Sequence, residues 1–171
     1  MEQHFDAAPW SGTLKAMSVL AVLLIAAATV PLWLGWPDSG GHRHADSFAV
    51  VPLACLAIAA LFVVTGYTLS PASLSVHRLM WSTVIPLTPP VDAAFDPDAC
   101  KGSRRLFGNG GLFVFAGLFR NQRLGRYRVF ATSFGHAVVL RSAGRTIVIS
   151  PASPQAFVET ARQFFPAAHA R

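Results

Sequence analysis

Two long apolar stretches without charge dominate the first half of the chain. The first has no charged residue from Ala16 to Pro37, and the second has none between Asp46 and His77. A helix of about 20 apolar residues is long enough to cross the hydrocarbon layer of a bilayer. We therefore predict a two-helix transmembrane hairpin with spans of about 14–36 and 47–69.

Beyond Leu69 the pattern changes to short β-prone runs separated by turn residues. LSVHRL and STVIPL are each typical of a strand, and Pro86 ends the second. The composition of TPPVDAAFDPDACKGSRR predicts a loop, and FGNGG then turns the chain. From Leu112 to Ile149 four more strand-like runs are joined by NQRL, SFG and SAG, which predicts an antiparallel meander.

The segment SPASPQAFVETARQFFP has the pattern of a closing helix. Ser153 is a suitable N-cap, Pro154 suits the first helical position, and Pro166 ends the helix. One apolar stripe is formed by Phe157, Ala161 and Phe164. The fold class is therefore α+β, with the helix plugging the open end of a strongly bent sheet.

These patterns divide the chain into an N-terminal tail (1–13), a hairpin (14–69) and a soluble domain (70–171). Two spans place both termini on one side, and Lys15 with the basic tail after Arg78 favours the cytoplasmic side. We expect a multi-pass protein of the inner (cytoplasmic) membrane. A cleaved signal peptide is the alternative, although the first apolar run exceeds the usual length of such a segment.

Composition supports a membrane environment and a basic domain. Hydrophobic residues make up 53% of the chain and charged residues 13%, about half the usual charged fraction. The part beyond Leu69 holds twelve basic and four acidic residues, a formal charge of +8. Because a tethered domain meets the anionic leaflet first, we expect no nucleic-acid partner. The environments of Cys55 and Cys100 differ, so no disulfide is expected.

An ordered set of motifs runs through residues 67 to 165. Tyr67 and Leu69 form a Tyr-x-Leu entry strand, and the glycine turn GNGG leads into the aromatic strand LFVFAGLF. A TS-x-x-x-x-V-x-L strand begins at Thr132, and ISP-x-x-P-x-x-F begins at Ile149. Together with two apolar helices, this order resembles the bacterial PH-domain (pleckstrin-homology-like) membrane proteins. The resemblance implies a bent antiparallel β-barrel capped by a C-terminal helix; most members of that family have no assigned activity.

The candidate binding residues are arginines. Eukaryotic relatives hold phosphoinositides with Lys and Arg across the first two strands, where this chain offers only His77 and Arg78, so that site is not carried over. A second cluster surrounds one predicted hairpin and is a candidate lipid-binding or partner-binding surface: Arg120, Arg123, Arg126 and Arg128. The alternative is a solvated hairpin whose charges prevent edge-to-edge aggregation. Arg104 and Arg105 are a further anion-binding candidate, with plain solvent exposure as the alternative.

Catalytic and metal-binding motifs are not found. The chain has no Walker loop, G-x-S-x-G elbow, H-E-x-x-H or paired cysteines. Residue types alone allow two catalytic arrangements: a triad of His136, Ser133 and an aspartate from 92–98, and an activated Cys100 thiol. The sequence gives no geometry that supports either arrangement. The segment around His42 and His44 offers no third committed ligand and is interpreted as a solvated turn. We predict no enzyme activity, metal or cofactor.

These observations predict a membrane-anchored PH-like protein that serves as a non-enzymatic binding or scaffolding module at the cytoplasmic membrane face. Its expected partners are the lipid bilayer and either anionic lipid headgroups or a protein. The alternative is an accessory subunit of a membrane enzyme or transporter complex. Transport by this chain alone is disfavoured, because neither predicted span carries an acid or a base in its core.

Overall fold

The computed structural model describes the backbone of residues 2–33 and 42–166, and the side chains of 2–30 and 50–166. Three α-helices lie in this part of the chain: α1 (Gly12–Trp33), α2 (His42–Leu61) and α3 (Pro154–Phe164). The strands are β1 (Gln3–Asp6), β2 (Val64–Ser70), β3 (Ser73–Arg78), β4 (Ser82–Pro86), β5 (Val91–Phe95), β6 (Arg104–Gly110), β7 (Phe115–Asn121), β8 (Gly125–Ala131), β9 (Val138–Ser142) and β10 (Arg145–Ile149).

The first sheet has the order β1-β2-β3-β4, and all its neighbours are antiparallel. The predictions of strands in LSVHRL and STVIPL are confirmed as β3 and β4. Its first strand comes from the segment predicted to be a tail: Phe5 lies opposite Tyr67 in β2. Residues before α1 and residues after α2 are therefore hydrogen-bonded neighbours in one sheet.

The second sheet has the order β5-β9-β10-β8-β7-β6, and it corrects three predictions. The stretch predicted to be a loop contains β5, which pairs with β9. Residues 107–110 of the predicted FGNGG turn belong to strand β6. The predicted meander is wrong at SFG, because β8 pairs with β10 in parallel rather than with β9. The backbone of Thr132 is bonded elsewhere: its N–H donates to Ser150 Oγ and its carbonyl accepts from Ser11 N. A short 3₁₀ turn at Phe134–His136 then carries the chain across to β9.

One core lies between the two sheets and is closed by α3. Leu69 and Val76 from the first sheet meet Leu140 and Ile149 from the second, together with Phe157 of α3. The predicted capping helix is thus confirmed, with Pro154 in its first turn. The predicted bent β-barrel does not close in the described residues, because β4 and β5 follow each other in sequence but belong to separate sheets.

A second core covers the opposite face of the six-stranded sheet. It contains Tyr127, Val129 and Val148, and Leu14 from the start of α1 is fully buried in it. The first turn of α1 is capped at Ser11, whose Oγ accepts the N–H of Leu14 at 3.2 Å. Helix α1 is therefore fixed to the sheet at its N-terminal end.

Only part of the predicted transmembrane hairpin is found. Among the described residues one helix, Gly12–Val30, is long and apolar enough to cross a membrane, and the apolar part of α2 is the shorter segment Val50–Leu61. The second predicted span is wrong beyond Leu61, because Val64–Ser70 form β2. That segment is rich in β-prone Val, Thr and Tyr and pairs with strands on both sides.

Candidate binding surface

Three arginines lie side by side across the second sheet. Arg104 of β6 lies opposite Arg120 of β7, which lies opposite Arg126 of β8. Residues opposite each other on neighbouring strands share one face, and so do residues two positions apart on a strand. Arg128 therefore joins the same face, and so does Arg145, since Ile147 lies opposite Arg128. We call Arg104, Arg120, Arg126, Arg128 and Arg145 the arginine face.

The arginine face is exposed, and none of its members forms an ion pair with an acidic side chain among the described residues. All five side chains are solvent-exposed, and the three aspartates of this domain pair elsewhere, with Lys101, Arg123 and Arg141. Like charges directly opposite one another destabilise a sheet. A row that carries this cost and lacks counterions creates a positive potential that attracts anionic groups.

The structure brings together three of the four predicted site residues and separates one. Arg120, Arg126 and Arg128 share the arginine face, whereas Arg123 lies at the β7–β8 turn with its Nη2 2.8 Å from Asp96 Oδ2. Arg104, which the sequence analysis named with Arg105 as an anion-binding candidate, also lies on the arginine face. Arg145 was not predicted. It lies on this face because β8 and β10 pair in parallel, and the sequence carries no local signal for that pairing.

Two recesses border this surface. The larger, of about 950 Å³, is lined by Lys101, Arg104, Arg120 and Arg123. The smaller, of about 380 Å³, lies between the sheets and combines the apolar Ile85 and Leu118 with Arg126, Arg128 and Arg145. Guanidinium groups therefore surround two concave parts of the surface. This arrangement suits the binding of carboxylate or phosphate groups.

The arginine face lies at the end of the sheet opposite the long helices. The β7–β8 ladder runs from Phe115 opposite Ala131 to Asn121 opposite Gly125, beside Arg120 and Arg126. At the Phe115 end, the β6–β7 turn rests on α1, where Phe113 N donates to Ser18 Oγ at 2.9 Å. The basic and helical ends of the domain are thus separate.

The helical end is apolar. Along α1, Leu20, Leu23 and Leu24 are each more than half exposed. Met80 in the β3–β4 turn is 72% exposed and Phe107 in β6 is 80% exposed. Exposed apolar side chains in this number favour a contact of this end with lipid or protein.

The geometry does not support a catalytic site in the described residues. Asp96 is paired with Arg123, and His136 Nδ1 is buried without a hydrogen-bond partner, so the triad drawn from sequence does not form. Burial raises the pKa of the Cys100 thiol, the opposite of an activated nucleophile. No group of three or more potential metal ligands lies in the described part of the chain. The backbone of His42 and His44 is helical rather than a turn; their side chains, and Asp38, lie outside the described residues.

Two sheets around a shared core, capped by a C-terminal helix, define a PH-like domain, a class that generally binds rather than catalyses. The chain belongs to the bacterial PH domain family: the family model described as "Bacterial PH domain" matches residues 65–164, more than half of the 171 residues. The resemblance seen in the sequence is thereby confirmed. Neither curated proteins nor solved structures gave a significant match.

Proposed function

We propose that this chain is a membrane-tethered, non-enzymatic PH-like module that holds an acidic protein partner on its arginine face. The observation that carries the proposal is the position of this face: unpaired arginines stand at the end of the sheet opposite the apolar helices. A basic surface directed away from the tether is available to a second molecule rather than to the bilayer that holds the domain. Carboxylates of an acidic protein match its guanidinium groups.

The tether is supported by α1 and by the topology of the first sheet. Because β1 and β2 are hydrogen-bonded, the segments before α1 and after α2 must lie on the same side of any membrane. The chain between them therefore crosses an even number of times. A crossing by α1 requires a return through α2, which contacts α1. This argument favours a hairpin with both ends on one side, which we place in the cytoplasm on the positive-inside rule.

The tether is tested by alkaline carbonate extraction of membranes that contain the full-length protein. A helical hairpin in the bilayer keeps the protein in the membrane pellet. Release into the supernatant would show that the helices lie on the surface or pack against another protein. A variant with Leu20→Lys and Leu24→Lys places two charges in the exposed part of α1 and is expected to move to the supernatant.

The partner surface is tested by site-specific photo-crosslinking in native membranes. A photoreactive residue replaces Gln122, which is exposed beside the arginine face, or Gln163 on α3 as the positional control. We expect a discrete protein adduct from position 122 and none from 163. The double change Arg120→Gln with Arg126→Gln should weaken capture roughly tenfold, since each exposed ion pair contributes up to about 1 kcal/mol.

The matched charge control is Arg141→Gln with Arg162→Gln, which removes the same charge from other surfaces. An equal loss of adduct in both double variants would show that capture depends on the net charge of the domain and not on the arginine face. An adduct from position 122 that consists of lipid would instead assign the arginine face to a membrane surface.

A further inference from the structure

Arg78 is a cation without a counterion at the helical end of the domain. It ends β3, opposite Val64 at the start of β2. Its guanidinium carbon lies 5.3 Å from the ring centre of Phe62, 5.6 Å from that of Trp81 and 5.5 Å from that of Phe130. This arrangement differs from the exposed arginines at the far end of the sheet, because aromatic rings replace water on several sides.

The guanidinium of Arg78 makes no hydrogen bond to the described residues, whereas its backbone N–H donates to the carbonyl of Trp81. Its Nε is buried and has no partner among the described residues, and no carboxylate there forms an ion pair with it. Burial lowers the pKa of this guanidinium, because desolvation penalises the charged form. A partly desolvated cation normally has an anion beside it.

An apolar cavity of about 530 Å³ opens beside this cation. It lies between the last turns of α2 and the β6–β7 hairpin, and we call it the interfacial cavity; its lining includes Cys55, Ile58, Ala59, Phe62, Phe107 and Phe130. The α2 residues recur at the three- and four-residue spacing of one helix face. The volume is within the range of small-molecule sites, about 300–1,000 Å³.

Two glycines that lie opposite each other on β6 and β7 line the cavity. A side chain on Gly108 would lie 2.3 Å from the carbonyl oxygen of Ala116, and one on Gly117 would lie 2.1 Å from that of Phe107. Both glycines have positive φ angles, 103° and 149°. Strands β6 and β7 therefore approach closely where no side chain fills the space, while the neighbouring Phe107 is 80% exposed.

We infer that the interfacial cavity binds one anionic glycerophospholipid, with its phosphate on Arg78 and an acyl chain between α2 and β6. The inference rests on the membrane tether proposed above, which brings the cavity mouth to the level of the lipid headgroups. Charge complementarity selects the phosphate, since guanidinium N–H groups donate in a fork to its oxygens. The apolar walls select a hydrocarbon tail, which a free phosphate or an acidic peptide lacks.

The test uses native mass spectrometry of the full-length protein, purified in detergent and stripped of lipid. It is titrated with dioleoylphosphatidylglycerol, with dioleoylphosphatidylcholine and with glycerol 1-phosphate. We expect one phosphatidylglycerol adduct per chain, bound at least about tenfold more tightly than the other two. Arg78→Gln should weaken this adduct at least about tenfold, because it removes charge-assisted hydrogen bonds to the phosphate.

Two further variants separate the site from general effects. Ala59→Phe fills the space for the acyl chain while it leaves Arg78 in place, and it should also weaken the adduct. Arg162→Gln removes the same charge from an exposed position of α3 and should bind as the wild type does. Equal lipid binding by the wild type and Arg78→Gln would overturn the inference.

Other outcomes also overturn it. Binding of glycerol 1-phosphate as tight as that of the lipid would leave only an anion site. The lipid-free protein could instead have the mass of two chains. Loss of this dimer in Ala59→Phe would show that a second copy of the chain covers the cavity. Carbonate extraction of the same proteins distinguishes the two proposals: a wild type that stays in the membrane pellet but binds no lipid contradicts this site and leaves the tether intact.

Discussion

At the residue scale, the motif residues prove to be buried polar groups that join distant segments. Tyr67 donates its hydroxyl proton to the carbonyl of Phe130 at 2.6 Å and accepts the N–H of Ser150 at 3.2 Å. Thr132 Oγ1 donates to the carbonyl of Ala8 at 2.6 Å. These bonds tie both sheets to the segment before α1. The motif residues therefore serve the fold, and the arginines of the proposed binding surface lie outside them.

The Tyr67→Phe variant should be destabilised by about 1–3 kcal/mol, because the buried carbonyl and amide would lose a partner. Thermal or denaturant unfolding of the purified full-length protein measures the change. The control is Thr83→Val, at a half-buried position whose hydroxyl makes no hydrogen bond to the described residues. A Tyr67→Phe protein as stable as the wild type would show that water replaces the phenol.

The same phenol predicts how stability responds to alkaline pH. Burial raises the pKa of Tyr67 to about 12 from its ordinary value of 10.0. The unfolded chain then releases this proton before the folded protein does, so its contribution is complete below pH 10.0 and is lost as the pH rises to about 12. Unfolding midpoints across this window should fall more steeply for the wild type than for Tyr67→Phe; parallel curves would contradict the assignment.

At this scale the sequence indicated which residues belong together but not what they do. Tyr67, Thr132 and Ser150 were identified as parts of an ordered motif, yet each bonds to a segment far away in the chain. Periodicity reports only which face a residue occupies on its own element. The clustering of Arg120, Arg126 and Arg128 was predictable for that reason, because one hairpin carries all three. The distant Arg145 was not.

At the scale of elements, the strongest predictions came from local signals. Pro154 and the apolar stripe defined α3, and the runs LSVHRL and STVIPL correctly predicted β3 and β4. Strand β5 was missed because prolines and aspartates surround its five residues, and pairing with β9 overrides that composition. The parallel β8–β10 pairing was missed because SFG has a turn-like composition.

The close approach of β6 and β7 gives a prediction for glycine. Gly117→Ala places a Cβ 2.1 Å from the carbonyl oxygen of Phe107 at a φ of 149°, so we expect destabilisation of more than about 2 kcal/mol. Gly144→Ala has a φ of 74° but open space around it and should cost about 1–2 kcal/mol. Unfolding midpoints of the two variants separate the effect of the clash from that of backbone strain. Equal losses of stability would show that the clash contributes nothing.

The N-terminal strand gives a second prediction at this scale. Phe5 is 8% exposed and its ring lies 4.9 Å from that of Phe157, nearly edge-on. Phe5→Ala should cost about 3–5 kcal/mol, as for other large buried side chains. Exposed Asp6→Ala on the same strand should change stability by less than about 0.5 kcal/mol. Limited proteolysis and unfolding measure both; a small effect of Phe5→Ala would mean that β1 contributes little to the fold.

At the scale of the whole molecule, the domain has an apolar end with α1 and a basic end with the arginine face. The hairpin proposed above predicts that both ends of the chain are reached from one side of the membrane. A cysteine replaces Glu2 or Gln155, both exposed, in a Cys55→Ser background in which the remaining Cys100 is buried. A membrane-impermeant thiol reagent should label them in inverted but not in right-side-out vesicles. Opposite labelling of the two positions would contradict the β1–β2 pairing.

The pairing of β1 with β2 also sets an order of events during synthesis. The first strand leaves the ribosome before either helix, but its partner leaves only after both helices have been made. The amino-terminal segment must therefore wait, unpaired, on the side where the rest of the domain will fold. In the proposed hairpin topology, a bulky fusion that draws this segment across the membrane would deprive the sheet of an edge strand, so tags belong at the carboxyl end.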